Sequence, residues 1–218
     1  MKEFDYSRVP EYKFYRFAIK VFGPLFKRLY HVNHKNTENI PKDSKKYIVA
    51  INHTCALDPV FVSIAKGIPR LHFMAKIELF KNPVVAWVIT HLYGFPVKRG
   101  KGDNSAVDYA KLIINEGHVL AICPEGKRIK DKNGVPQSAK SGIARIARAT
   151  GASILPVAIC CPNKIVRGEH VTVVFGEPLS PSDLGIDGEE CSREELKAAA
   201  NVVMEKISEM RERELNGN

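Results

Sequence analysis

A histidine and an aspartate five residues apart follow the first strongly apolar run of the chain. Residues 47 to 59 read YIVAINHTCALDP, so that the run ends at Asn52 and His53, and Asp58 precedes Pro59. If the loop between them folds back, the carboxylate can bind Nδ1 of the imidazole and leave Nε2 as a base. Such a dyad can remove a proton from an alcohol. The spacing therefore predicts His53 as a catalytic base that Asp58 orients.

The same two residues also have a purely structural explanation. An aspartate followed by proline at the first helical position is typical of a helix start, where the carboxylate caps the N–H groups that lack partners. A lone histidine is more often structural than catalytic, although the end of an apolar strand does not call for an imidazole. Asp58 can therefore cap a helix, orient His53, or do both.

The chain lacks the sequence motifs of an enzyme nucleophile and of a bound nucleotide. GxSxG, Walker A and GxGxxG are all absent, and the seven histidines include no HExxH. A hydroxyl activated by His53 would then belong to a substrate. The chemistry indicated is group transfer rather than hydrolysis through an enzyme nucleophile.

The elements that must position these residues alternate along the chain after residue 45. The apolar runs that predict strands are KYIVAI (46 to 51), LHFMAK (71 to 76), GFPVKR (94 to 99), HVLAIC (118 to 123), SILPVAIC (153 to 160) and HVTVVFGEPL (170 to 179). Helical patterns separate them, which predicts βαβ units. With 218 residues and no linker or internal repeat, one domain is expected. The predicted fold class is α/β, a single domain with a largely parallel mixed sheet flanked by helices.

Charged residues follow the predicted strands at the ends where ligand sites of parallel sheets gather. They are Lys76 and Glu78 after the second strand, Arg99 and Lys101 after the third, and Glu125, Gly126, Lys127 and Arg128 after the fourth, with Lys140 farther along. An isolated lysine in a loop is usually a solvated surface cation. Recurrence at successive strand ends instead favours a phosphate site, which arginine can bind bidentately.

The first 30 residues are basic and hold nine of the 18 aromatic residues. At 100° per residue, EYKFYRFAIKVFGPLFKRLY is amphipathic. Its apolar face carries Phe14, Phe17, Ala18, Val21, Phe22 and Leu25, and its opposite face Lys13, Arg16, Lys20 and Lys27. Gly23-Pro24 predicts two short helices, because an interior proline removes a backbone donor and clashes with the preceding turn. We assign residues 1–40 to an amphipathic helical membrane-surface segment and residues 41–218 to the α/β domain.

Three uses of this basic and aromatic segment are open. Its apolar face can pack on the protein's own core, or lie in a membrane interface with the cations near anionic headgroups. RNA binding is the third, but no RNP-like, KH or zinc-knuckle pattern accompanies it. The net charge of +9 indicates an anionic partner without choosing among these.

Compartment and topology are indicated by what the sequence lacks. No run of 18 apolar residues exists, and PVVAWVITHLYGFPV (83 to 97) is too short to span a bilayer. The charged N-terminus has no apolar core of a signal peptide. Five cysteines without CxxC spacing indicate a reducing compartment. We expect a cytoplasmic protein that lies on a membrane or avoids it.

Four ordered blocks resemble the signature of the glycerolipid acyltransferase family, the 1-acyl-glycerol-3-phosphate acyltransferases. The NHxxxxD block of that family corresponds to NHTCALD, and its second block to GFPVKR, preceded by a Lys-x-Glu at Lys76 and Glu78. The third block, an aromatic residue followed by PEGTRS, corresponds to CPEGKRIK, and the fourth resembles LPVAI at 155 to 159. KSGIARIA (140 to 147) and VVFGEPL (173 to 179) are also similar. The resemblance covers roughly residues 45 to 180.

The resemblance implies a reaction. His53 would deprotonate the sn-2 hydroxyl of lysophosphatidic acid, and the oxygen would attack the thioester of an acyl-carrier protein or coenzyme A. Asp58 would orient His53 and balance the charge it gains. The product is phosphatidic acid. No metal or prosthetic group is implied, and the acyl thioester is a co-substrate.

The resemblance also implies an acceptor site. Arg99 and Arg128 would bind the phosphate, with Lys76 and Lys140 as weaker candidates. Glu125 and Gly126 would shape the site. With a bilayer-resident acceptor, the N-terminal segment is expected to anchor the enzyme monotopically at the cytoplasmic face, and no nucleic-acid partner is expected.

Three departures from the family pattern lie in the third block. Cys123 replaces the usual aromatic residue, Lys127 replaces the usual threonine, and no serine follows Arg128. Another lysolipid or glycerol 3-phosphate is therefore an alternative acceptor. A non-catalytic basic module that binds anionic membrane or nucleic acid is the alternative from a different class.

Overall fold

The fold is that of a computed structural model, which describes residues 4–42, 46–98, 103–128 and 139–217. The strands are β1 (Asn33–Lys35), β2 (Tyr47–Ile51), β3 (Leu71–Lys76), β4 (Gly94–Val97), β5 (Val119–Ile122), β6 (Ser153–Cys160) and β7 (Thr172–Phe175). The helices are α1 (Lys13–Leu29), α2 (Asp58–Ser63), α3 (Pro83–His91), α4 (Asn104–Asn115), α5 (Gly142–Thr150) and α6 (Arg193–Asn216). Short 3-10 helices span Thr37–Asn39 and Ile77–Lys81.

The seven strands form one sheet in the order β1-β7-β6-β2-β5-β3-β4. Within the described ranges the pairings are parallel except for β6 with β7, which is antiparallel. The prediction of a single α/β domain with a largely parallel mixed sheet is confirmed. All six predicted strands are present, because their continuous apolar runs suit strands that helices cover on both faces.

Helices cover the two faces of the sheet and enclose separate cores. The buried residues of α4, α5 and α6 pack on one face with Ile48 and Leu120. Phe61 and Val62 of α2 pack on the other face. Helix α3 lies on the α2 side, since its Ile89 meets Phe73 next to Gly94.

The N-terminal segment contains one continuous helix, so the prediction of two short helices is wrong. Helix α1 has 17 residues with Pro24 inside it. Gly23 is buried against α2, where an added Cβ would lie 3.4 Å from Ile64 Cγ2. We attribute the continuity to this close packing, which offsets the single hydrogen bond that proline cannot make.

The N-terminal segment also enters the sheet. Asn33, His34 and Lys35 form β1 and pair with β7. The sequence Asn-His-Lys has no apolar run, which is why this strand was not predicted. The first strand of the sheet thus lies within residues 1–40, the range assigned to the N-terminal helical segment.

The apolar face of α1 is divided between the core and solvent. Tyr15 and Ala18 are buried, whereas Phe17, Val21, Phe22 and Leu25 are exposed. Among the described helices, none is both long and apolar enough to cross a bilayer.

Phe61 tests how much the α2 face of the sheet contributes to stability. Its side chain is fully buried, and its ring lies 5.3 Å from that of Tyr30 at the end of α1. We expect Phe61→Ala to lower the free energy of unfolding by about 3 to 5 kcal/mol, through lost burial and a cavity. Urea denaturation measures the change. Phe17→Ala removes the same ring from an exposed site and should change stability by less than about 0.5 kcal/mol. Equal losses in the two variants would contradict this packing.

Candidate active site

The site is built at the carboxyl ends of β2 and β5, which lie side by side. Ala50 of β2 pairs with Ile122 of β5. The residues three positions farther along, His53 and Glu125, therefore leave the sheet together. The backbone N–H of His53 donates to Oε2 of Glu125 at 3.0 Å, and Glu125 is buried. The first and third motif blocks are thus joined by a hydrogen bond.

Asn52 fixes the end of β2 against β6. Its side chain is fully buried and forms two hydrogen bonds with one residue. Nδ2 donates to the carbonyl of Ile159 at 3.0 Å, and Oδ1 accepts from the N–H of Ile159 at 2.7 Å. These bonds continue the ladder one residue past the strand and determine where His53 leaves the sheet.

His53 and Asp58 form the predicted dyad. Nδ1 of His53 lies 2.8 Å from Oδ2 of Asp58. Because a carboxylate can only accept, Nδ1 carries the hydrogen and Nε2 carries the lone pair. The Asp58 side chain is fully buried, while that of His53 is 15% exposed. The imidazole is therefore held on one side by a desolvated carboxylate and is accessible on the other.

The loop between the two residues folds back around the Asp58 carboxylate. The N–H of Thr54 donates to Oδ2 at 2.9 Å, and its hydroxyl to Oδ1 at 2.5 Å. The N–H of Cys55 lies 3.0 Å from both oxygens. Together with the imidazole, these donors satisfy both carboxylate oxygens, as burial of a charged group requires.

The capping interpretation of Asp58 is wrong. Helix α2 starts at Asp58, but its N-cap residue is Leu57, and no side chain caps it. The carboxylate turns away from the helix toward Thr54 and Cys55, which precede it. The carboxylate therefore accepts hydrogen bonds from the loop before the helix and not from the free N–H groups at the start of the helix.

Cys55 lies beside the dyad, but its thiol is not a nucleophile. Burial and the adjacent Asp58 carboxylate raise the pKa of Cys55 to about 12. Its Sγ donates to Oδ1 of Asp58 at 3.3 Å. A protonated thiol does not attack thioesters efficiently, because the thiolate is the reactive form. The raised pKa therefore argues against Cys55 as a nucleophile.

The third block forms a tight turn after β5. Gly126 has a positive φ of 69°, and its N–H donates to the Cys123 carbonyl at 3.0 Å. The N–H of Lys140 donates to the Pro124 carbonyl at 2.8 Å. An added Cβ on Gly126 would lie 3.0 Å from Cδ and Cε of Lys140. Glycine is thus needed both for the turn and for the lysine stem that crosses it.

The other predicted site residues differ in how closely they join this group. Arg128 follows the turn as an exposed side chain. Lys76 lies at the end of β3, two strands from β2, where its Nζ lies 3.4 Å from Oε1 of Glu78. No contact of Lys76 with the dyad is seen in the described part of the chain. Arg99 lies outside the described residues.

Two positioning residues were not assigned a role from the sequence. Asn52 and Thr54 stand inside the first motif block, and both act through hydrogen bonds that only the folded chain reveals. A signal for Asn52 was available, because an amide at the end of a buried apolar strand needs partners. The partner of Asn52 is a backbone group 107 residues away, which sequence spacing does not indicate.

The arrangement supports proton removal by an oriented imidazole. In residues 4–42, 46–98, 103–128 and 139–217, no cluster of three or more His, Cys, Asp or Glu side chains is placed to hold a metal ion. The basic residues at the turn after β5, Lys127, Arg128 and Lys140, are exposed, and β5 is the strand next to β2. An oriented imidazole near exposed cations suits an anionic substrate that carries a hydroxyl.

Relatives of this chain are 1-acyl-sn-glycerol-3-phosphate acyltransferases by name. The Streptococcus pneumoniae enzyme is 31% identical over 71% of this chain and 58% of its own length. The Bacillus subtilis enzyme is 28% identical over 91% of this chain and 96% of its own length. This chain thus spans under two thirds of the first relative and nearly all of the second.

A solved structure and a family model agree with these relatives. The crystal structure of the 1-acyl-sn-glycerophosphate (LPA) acyltransferase PlsC from Thermotoga maritima superposes with a TM-score of 0.67 and 28% identity, covering 93% of this chain and 78% of that one. The family model described as Acyltransferase matches residues 31–160, which contain the dyad, the turn and both strands that carry them. The chain therefore belongs to the acyltransferase family.

Proposed function

We infer that the chain is a 1-acylglycerol-3-phosphate O-acyltransferase, which moves a fatty acyl group from a thioester to the sn-2 hydroxyl of lysophosphatidic acid and forms phosphatidic acid for phospholipid synthesis. The observation that carries this inference is the 2.8 Å bond between His53 Nδ1 and the buried Asp58 carboxylate. It supplies the base that the reaction needs, in a chain whose named relatives catalyse this reaction.

The dyad performs the proton transfers of the reaction. Nε2 of His53 takes the hydroxyl proton as the oxygen attacks the thioester carbonyl, giving a tetrahedral intermediate. Collapse of that intermediate breaks the C–S bond, and the imidazolium returns its proton to the departing thiolate. Asp58 stabilises the imidazolium between the two steps. The ester and a free thiol are the products, and the enzyme is regenerated.

The basic turn after β5 is suited to bind the acceptor phosphate. Arg128 can form two parallel bonds to a phosphate, and Lys140 crosses the turn at Gly126. Arg99 and Lys76 are further candidates at the ends of β4 and β3. Glu125 contributes by holding the backbone of His53 rather than by touching phosphate, since two anions would repel. As the family resemblance implies, we expect no metal or prosthetic group, and acyl-carrier protein or coenzyme A carries the acyl co-substrate.

The exposed part of α1 supports a monotopic anchor at the cytoplasmic face of the membrane. Phe17, Val21 and Leu25 project from the helix into solvent. Lys13, Arg16, Lys20 and Lys27 extend along the adjacent side, where anionic headgroups would meet them. A helix with a core face, an apolar exposed face and a basic face is suited to lie in an interface. The partners are thus an anionic membrane surface, its lysophosphatidic acid and the acyl thioester, without nucleic acid.

His53→Ala tests the reaction itself. Removal of the base should lower kcat by about 100-fold or more, with the thermal midpoint unchanged. The assay follows one labelled acyl thioester with lysophosphatidic acid, other lysolipids and glycerol 3-phosphate as acceptors. His118→Ala removes an imidazole at the opposite, amino end of β5 and should keep full activity.

Retained transfer in His53→Ala would contradict the mechanism, and a preference for another acceptor would contradict the proposed substrate. Salt-sensitive membrane binding without any transfer would favour a non-catalytic module.

Thr54 tests whether the Asp58 carboxylate must be held in place. Thr54→Val keeps the shape of the side chain but removes the hydroxyl that donates to Oδ1. A hydrogen bond to a charged group contributes about 1.5 to 3 kcal/mol, so kcat should fall roughly tenfold or more, with KM for the acceptor unchanged. Thr54→Ser retains the hydroxyl and should restore most of the activity. Equal kcat values for the valine and serine variants would show that this bond does not position the dyad.

The α1 anchor is tested by placing charge on its exposed apolar face. Val21→Asp combined with Leu25→Asp should weaken sedimentation with vesicles of phosphatidylcholine and phosphatidylglycerol by at least about tenfold, because burying each side chain contributes about 1.5 to 3 kcal/mol. Both positions are exposed, so the unfolding midpoint should change little. Val202→Asp places one such carboxylate on the exposed side of α6, across the sheet, and is the control for each of the single variants Val21→Asp and Leu25→Asp. Unchanged vesicle binding of the double variant would refute the anchor.

A further inference from the structure

Helix α3 is apolar from Pro83 to Ile89 and yet has no buried residue. Its sequence is PVVAWVITH, without a single Asp, Glu, Lys or Arg. Val84 is 70% exposed and Trp87 is 50% exposed. A helix that is hydrophobic all round is expected to be buried in protein or in lipid. The described part of the chain covers only one side of this helix.

Three of the exposed residues of α3 share one face of a firmly held helix. Val84, Trp87 and Val88 are spaced at i, i+3 and i+4, which places them on the same face. The start of the helix is capped by Asn82, whose Oδ1 accepts from Val84 N–H at 3.0 Å and Val85 N–H at 3.2 Å. Its other side is seated so closely that a Cβ on Gly94 would lie 2.4 Å from Ile89 Cγ2. The apolar face is therefore a fixed surface and not a loose turn.

This face is continuous with the exposed face of α1. The ring of Trp87 lies 5.1 Å from that of Phe14 and stacks on His91 at 4.2 Å. We name the surface formed by six exposed apolar residues of the two helices the apolar platform; its residues are Phe17, Val21, Leu25, Val84, Trp87 and Val88. A patch of this kind on a protein surface marks a partner.

Lipid fits the apolar platform better than a protein partner does. The cations of α1 border it, as expected next to anionic headgroups. A tryptophan at the centre of its α3 part is the side chain that membrane interfaces favour. The acceptor and product of the proposed reaction are themselves lipids.

The apolar platform also extends to the catalytic edge of the sheet. β3 ends at Lys76 on that edge, and the 3-10 helix Ile77–Lys81, with Leu79 46% exposed, leads from there to the first turn of α3. β3 is two strands from β2, about 10 Å at the usual strand spacing. Lipid in contact with Leu79 and Val84 would thus lie near the level of His53.

We propose that α3 is a second membrane-inserting helix, which buries Val84, Trp87 and Val88 among acyl chains and brings the β3 end of the catalytic edge to the bilayer surface. This inference rests on the proposed lipid acceptor but not on the anchoring by α1. Helix α1 holds the protein on the membrane, and α3 determines which edge of the sheet faces the lipid from which the acceptor comes.

The wild-type protein carries its own reporter, because Trp87 is the single tryptophan of the chain. With vesicles of equal parts phosphatidylcholine and phosphatidylglycerol, its emission should shift to shorter wavelength and acrylamide quenching should fall. Phosphatidylcholine brominated in the acyl chains should quench it. Emission that stays unchanged while the protein sediments with the vesicles would overturn the inference and leave the α1 anchor intact. It would then favour a protein partner for α3.

A matched pair of variants separates this inference from the proposed function. Val88→Asp and Val202→Asp alter helical valines of nearly equal exposure, 37% and 38%, on α3 and α6. Val88→Asp should lower transfer to long-chain lysophosphatidic acid in vesicles by about tenfold, from lost apolar burial. Transfer to a short-chain acceptor dissolved in water should stay at the wild-type rate, as it should for Val202→Asp with both acceptors. Equal losses on both acceptors, or no loss on either, would overturn the role of α3. Absence of transfer in the wild-type protein would instead contradict the function.

Discussion

The buried carboxylate of Asp58 is the interaction on which the rest of the site depends. It accepts hydrogen bonds from the imidazole of His53 and from Thr54 and Cys55, so one side chain closes the loop and selects the tautomer of the base. A desolvated charge is costly unless its partners are supplied. The loop residues supply them only in this conformation. Burial of Asp58 therefore enforces the loop geometry, and the loop geometry enforces the position of Nε2.

That loop would be misplaced without the sheet beneath it. Asn52 extends the β2–β6 ladder by two hydrogen bonds, and Glu125 holds the His53 N–H from the β5 side. The base is thus fixed between its two neighbouring strands before any substrate binds. Preorganisation of this kind lets a single histidine act without reorganisation at the moment of reaction. It also explains why blocks far apart in sequence must occur together, since each holds a different side of the same residue.

The sequence was sufficient where one physical rule dominated and insufficient where two competed. Continuous apolar runs predicted β2 to β7. A strand of a largely parallel sheet is covered by helices on both faces, so nearly all of its side chains must be apolar. The pairing of His53 with Asp58 was predictable from spacing and a strand-to-helix turn. Whether Asp58 would cap α2 was not predictable. Its carboxylate could accept hydrogen bonds either from the first N–H groups of α2 or from those of the preceding loop. The break in α1 predicted at Pro24 was wrong. Proline costs one helical hydrogen bond, but the packing of Gly23 against the end of α2 offsets that local cost. β1 has no apolar signal, because it is a short edge strand with only His34 partly covered.

Amphipathicity alone does not tell core from membrane, and α1 shows why. One helix turns Tyr15 and Ala18 to the protein, Val21 and Leu25 to the outside, and its lysines to a third side. The division follows from the narrow contact at Gly23, which meets Ile64 at the end of α2. Asp58 stands at the other end of that same short helix. Helix α2 therefore connects the packing contact of α1 with the loop that carries His53. The packing of α1 thus bears on the short helix whose first residue orients the imidazole of His53.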